Sequence, residues 1–164
     1  MGLDIIAVRN AKPVKGCRTS DCSMEHQKLT VDKTFMEVAD GLADGSCWTA
    51  MPHDIFEFRA GSYSGYNEWR EMLSQAMLGV SPEMVWTHAK KFKAKPFYEL
   101  INFADCEGTI GATTSKKLND DFLSHMAQAR KVSLKKGDSY FYEKFIAWEK
   151  AFAMAADGGF VRFH

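Results

Sequence analysis

Long apolar runs are missing from this chain. No stretch approaches the roughly 18 consecutive apolar residues that a bilayer crossing needs, and Met1-Gly2-Leu3-Asp4-Ile5-Ile6-Ala7-Val8 has no basic region leading into a longer apolar one. A membrane-spanning helix is not expected, and the expected location is the cytoplasm. A myristoylated Gly2 would need Ser or Thr at the sixth position, where Ile6 stands. Excess charge of one sign is missing too. Lys plus Arg and Asp plus Glu are 21 each, so no long-range field draws the chain to duplex nucleic acid or to an anionic membrane.

Cysteine is sparse: Cys17, Cys22, Cys47 and Cys106. Cys17, Cys22 and His26 with Cys47 or His53 form a weak zinc candidate, because the second half of the set is not a clean ligand pair. Reduced thiols, no metal and no cofactor are the expectation. Internal repeats and low-complexity tracts are also lacking.

What is present suits a packed core. With 164 residues, 46% hydrophobic and 13% aromatic, the chain is expected to form one domain over residues 1–164. Asp4 to Val8 reads as a first strand from its branched residues. Lys12 to Pro52 is poor in apolar residues and rich in Gly and Asp, which predicts an irregular insertion with minor strands or turns. Ile55 to Phe58 alternates as a strand, and Tyr66 to Gly79 follows as a helix closed by Gly79. Glu83 to Phe92 reads as a short helix, and Lys90, Lys91, Lys93 and Lys95 as a solvated basic face. Pro96 to Phe103 has the composition of a strong strand. A long helix from Thr114 or Ser115 to about Lys131 and a second from about Asp138 to Ala156 each show one apolar stripe, before a last strand at Phe160 to Phe163. The expected fold class is α+β: a small mixed or antiparallel sheet against about three main helices, with the insertion at 12–52.

Three polar segments are placed where chemistry is expected. Phe58-Arg59-Ala60-Gly61-Ser62-Tyr63-Ser64-Gly65-Tyr66-Asn67-Glu68-Trp69-Arg70 runs from a strand into a helix. Free amides at such a start favour an anion, Arg59 or Arg70 adds a bidentate contact, and Tyr63 or Tyr66 offers a ring to stack on. Ser62, Ser64 and Asn67 complete this set. The rival reading is a tight capped turn, with Tyr66, Trp69 and Leu73 in the core and Arg70 paired to an acid such as Glu107. The second segment holds Asn102, Asp105, Cys106, Glu107 and Thr109, where two carboxylates flank a thiol. They suit acid and base roles, a cation, or the arginines above, whereas Cys106 alone reads as a small buried hydrophobe. The third is Ala155-Ala156-Asp157-Gly158-Gly159-Phe160-Val161-Arg162-Phe163-His164, which reads first as a helix closed by Asp157 with His164 an exposed last residue, and second as a strand tucked into a sheet that brings His164 beside the site.

On these segments the chain resembles a family of small proteins from phage and prophage genomes. The likeness rests on Met1-Gly2-Leu3-Asp4-Ile5, on Phe58 to Arg70, on Phe97-Tyr98-Glu99-Leu100-Ile101-Asn102-Phe103-Ala104-Asp105-Cys106-Glu107-Gly108-Thr109-Ile110-Gly111, and on Ala155 to His164. The family has no activity to carry over, and the 12–52 stretch departs from it. The resemblance does imply a host-cell cytoplasmic setting, where small phage proteins with polar pockets include sponges for nucleotide signals of host immunity.

The leading expectation is accordingly a binding protein that sequesters a small anionic, nucleotide-like molecule, with Arg59, Ser62, Tyr63, Ser64, Tyr66, Asn67, Arg70, Asn102, Asp105 and Glu107 as the site. The alternative is a phosphodiesterase-like hydrolase using Asp105, Glu107 or His164 as acid, base or metal ligand. A third is a protein-binding inhibitor of a host factor. A homo-oligomer is compatible with each.

Overall fold

The computed structural model describes residues 2–15 and 27–164. Among these residues seven strands form in chain order: β1 (Gly2–Val8), β2 (Lys12–Val14), β3 (Gln27–Thr30), β4 (Cys47–Ala50), β5 (Ile55–Ser62), β6 (Gly108–Gly111) and β7 (Phe160–Phe163). Six α-helices accompany them among the described residues: α1 (Tyr63–Leu78), α2 (Pro82–Thr87), α3 (Ala89–Phe92), α4 (Tyr98–Ile101), α5 (Ala112–Lys136) and α6 (Ser139–Ala155). The fold is α+β, as the alternation of periods in the sequence predicts.

The main sheet has the order β5-β1-β7-β6, and its neighbours are all antiparallel. β7 therefore lies inside the sheet, between β1 and β6. Its pairing continues past the strand, because Asp4 and His164 exchange backbone hydrogen bonds of 2.9 and 3.0 Å. The side-chain period of two in β1 explains how the layers stack. Leu3, Ile5 and Ala7 point into the large core beneath the helices, while Ile6 and Val8 join Leu29, Val31, Ala50 and Phe160 in a second core on the opposite face. That second core belongs to the insertion, where β2, β4 and β3 form a three-stranded antiparallel sheet. The expectation of minor strands within 12–52 agrees with this.

Aromatic residues dominate the large core. Trp148 on α6 is fully buried, with ring centroids of Phe58, Phe163, Phe152, Tyr66 and Trp69 between 5.1 and 5.9 Å away. Burying one such ring stabilises by roughly 1.5 to 3 kcal/mol, so this cluster alone accounts for a large part of the drive that packs α1 and α6 on the sheet.

The helix ends follow from local chemistry. Ser62 is extended and its hydroxyl accepts from the Gly65 amide at 3.0 Å, which starts α1, and Gly79 at φ 70° ends it. Asp138 starts α6 in the same way through the Tyr140 amide. α5 has no cap of its own at Gly111. Asp40 of the insertion supplies one, accepting from the Thr114 amide at 2.7 Å and from the Thr114 hydroxyl at 3.2 Å.

The expected strand at Pro96 to Phe103 does not form. Phe97 is left-handed at φ 61° and opens the single turn of α4. Its amide donates to Asp121 on α5 at 2.8 Å, and Lys117 binds both Asp121 and Glu99 at 2.8 and 2.6 Å, so a half-buried ionic knot holds the turn. Phe97, Tyr98, Leu100 and Ile101 are buried together. The strand-like composition reflects burial on every side rather than pairing.

Candidate functional site

The structure divides the expected site residues among separate surfaces. Arg59 sits opposite Asp4 in the β1–β5 register and pairs with it at 3.2 Å. The Ser62 hydroxyl is used as a cap and lies 3.1 Å from that of Ser64, and Tyr63 packs against the core. Tyr66 is fully buried, stacked on Trp69 and beneath Arg70. Burial pushes its hydroxyl well above the ordinary tyrosine range, and among the described residues that hydroxyl has no partner. Neither face of the ring is free for a ligand.

Ser64, Asn67, Arg70 and Asp105 do meet, in a cleft of about 400 Å³ that Glu68, Glu71, Glu83 and Trp86 complete. Arg70 is buried there and committed to the protein. It donates to the Phe103 carbonyl at 2.7 Å and to Asn67, and it lies 5.3 and 5.2 Å from the ring centres of Tyr66 and Trp86. Asn67 in turn donates to Asp105 at 2.8 Å. The expected Arg70–Glu107 pair is absent; the arginine braces α1 against the segment after α4. Glu83 is held below the ordinary carboxylate range, first by its own backbone amide and then by Ser81, and so stays ionised at neutral pH. Four carboxylates around one occupied guanidinium repel an anion.

Glu107 and His164 face a second cleft of about 580 Å³, shared with Asp32, Lys33, Asp44, Cys106 and Arg162. Two ion pairs lie on it: Glu107 with Lys33, and Asp32 with Arg162. The hydrogen bond and charge of Glu107 raise the Lys33 ammonium above its ordinary value. Cys106 is an exposed free thiol, which corrects the reading of a buried hydrophobe; its neighbours on this surface are polar. Asp105 is held in the Arg70 cleft, so the proposed acid, base and terminal histidine do not line one space. Among the described residues no group of three His, Cys, Asp or Glu is arranged to hold a metal. Cys17, Cys22 and His26 lie outside the described residues. Cys47 is buried and disulfide-bonded, which removes the thiolate a zinc ion would need.

Asn102 opens into a third cleft, of about 540 Å³, that sequence reasoning did not find. Its floor is α4 and the residues just beyond, with Tyr98, Asn102 and Phe103. Its wall is the strap Thr34, Phe35, Met36, Glu37 and Val38 from the insertion, and Lys93 stands at the rim. The strap is fastened at both ends. Thr34 bridges Thr109, and the Gly111 amide donates to the Val38 carbonyl at 2.8 Å. Phe35 meets Phe103 edge to face at 5.2 Å. Gly108, at φ 136°, makes that contact possible, because a Cβ there would lie 2.7 Å from Phe103 and 2.9 Å from Phe35. The Asn102 side chain is exposed and its amide has only a long 3.4 Å contact with the Tyr98 hydroxyl. An amide that can both donate and accept thus faces aromatic walls in a space within the roughly 300 to 1,000 Å³ typical of small-molecule sites. The one advance signal was the apolar pair Phe35-Met36 within a polar, turn-rich stretch; both are exposed, Met36 at 96%.

Comparison with family models, with curated proteins and with solved structures finds no match for this chain.

Proposed function

We propose that this protein binds a small nucleotide-like molecule, with the planar ring of the ligand in the cleft between the Phe35 strap and α4. The observation that carries the reading is the convergence of Phe35, Phe103, Tyr98 and the loosely engaged Asn102 amide on one cavity of about 540 Å³. Aromatic walls favour any flat ring, and a single amide reads a ring edge that both donates and accepts. A guanidinium that already donates to two acceptors and an acidic rim make the Arg70 cleft the weaker seat for an anion. In a phage-type protein such binding serves to sequester a nucleotide signal of host immunity. The separation of Asp105 from Glu107 and His164 favours this reading over hydrolysis.

The test is thermal melting of the purified chain against nucleosides, nucleoside monophosphates and cyclic dinucleotides, followed by mass analysis of any ligand recovered after denaturation. Stabilisation that Asn102→Ala and Phe35→Ala each reduce, with the ligand recovered intact, is the expected result. Recovery of cleaved product supports the hydrolase instead, and no shift with any compound refutes nucleotide binding.

A further inference from the structure

The mouth of the Phe35 cleft carries an ion pair that already has the chemistry of a ligand contact. Glu37 lies on the strap and Lys93 just beyond α3, with 3.5 Å between Oε1 and Nζ and both side chains about two-thirds exposed, at 66% and 65%. Exposure on that scale makes the pair weak, since water screens both charges and neither side chain is otherwise held. Of the residues lining this cleft, Lys93 is the one cation. The other lysine nearby, Lys117, is bound between Glu99 and Asp121 and has no charge to spare.

We infer that Lys93 selects ligands bearing a phosphate and that Glu37 is the built-in competitor which such a phosphate displaces. This rests on the ring-binding reading above. A phosphate monoester brings up to two charges and three acceptor oxygens against the single charge and two oxygens of Glu37, so it makes the better partner for the ammonium. Exposed Lys90, Lys91 and Lys95 stand close in the chain and raise the local positive potential without lining the cleft. The arrangement gives the two residues opposite roles: Lys93 adds affinity for the charged ligand, whereas Glu37 subtracts from it.

Calorimetric titration of the chain with adenosine and adenosine 5′-monophosphate, and in parallel with the guanosine pair, reads the ratio of the two affinities. In the native protein the monophosphate binds about tenfold tighter than its nucleoside, as expected for a hydrogen-bonded charged contact. Lys93→Gln brings the ratio close to one, and Glu37→Gln raises it by about two- to fivefold, the scale of an exposed ion pair. Raising salt shrinks the native ratio. A ratio that survives Lys93→Gln, or that falls in Glu37→Gln, overturns the inference while leaving ring binding intact. Equal binding of nucleoside and monophosphate by the native chain overturns it too. Binding of neither compound overturns both this inference and the ring-binding reading.

Discussion

Replacing Arg70 with alanine removes a side chain that is 5% exposed and joins three parts of the fold. The guanidinium satisfies the Phe103 carbonyl at 2.7 Å, and a buried acceptor left without its donor costs about 1 to 3 kcal/mol. It also lies over the rings of Tyr66 and Trp86, contacts worth roughly 0.5 to 1 kcal/mol each. Loss of the Asn67 contact frees the Asn67–Asp105 pair as well. The expected destabilisation is therefore about 2 to 5 kcal/mol, read as a lower midpoint in urea with tryptophan fluorescence as the signal. Arg70→Lys recovers only part of it, because a single ammonium cannot reach both the carbonyl and the amide with the arginine's planar fork. A loss below about 1 kcal/mol in Arg70→Ala would refute the bracing role, since the carbonyl desolvation alone exceeds that. An arginine kept for a ligand's phosphate behaves the other way, with stability preserved and affinity lost.

The cleft wall and the caps give further expectations. Gly108→Ala forces a left-handed β-carbon against Phe103 and Phe35, which costs about 1 to 3 kcal/mol and lowers the melting temperature by several degrees; an unchanged melt contradicts the close contact. Asp40→Ala uncaps α5 and costs about 1 to 2 kcal/mol by chemical denaturation, whereas no loss means the Thr114 amide finds another acceptor. Asp54 is held below its ordinary value of 3.8, chiefly by the hydrogen bond from Arg9, which is 2.6 Å long. A depressed carboxyl adds stability above its unfolded pKa and gives it up as pH falls through the folded one. Between pH 7 and pH 3 the urea midpoint of the native chain thus falls further than that of Asp54→Asn; equal falls refute the contribution.

The periodic helices were readable because their signals are local. The stripes on α5 and α6 repeat every three or four residues, Gly79 marks the end of α1, and Ser62 caps where a serine before a helix is expected, whereas α5 runs past the expected end near Lys131 to Lys136, where Gly137 turns left-handed. The α4 turn was not readable, because a left-handed Phe97 is held by Asp121, 24 residues away, and composition alone made the segment a strand. The candidate cleft was hidden for a similar reason. Phe35 becomes a wall only through Thr109, Gly111 and Gly108, which no local pattern links to the insertion. Arg70 was noticed as a polar residue near a helix start, yet its helical phase places it among buried neighbours, where the same fork that binds phosphate binds carbonyl and amide oxygens.

Hydrogen exchange of the backbone, followed by mass spectrometry with and without adenosine 5′-monophosphate, tests the location of binding most directly. Binding in the Phe35 cleft predicts slower exchange confined to residues 34–38 and 98–104. Protection centred on Asn67, Glu83 and Trp86 instead, or the same exchange with and without the nucleotide, would contradict it.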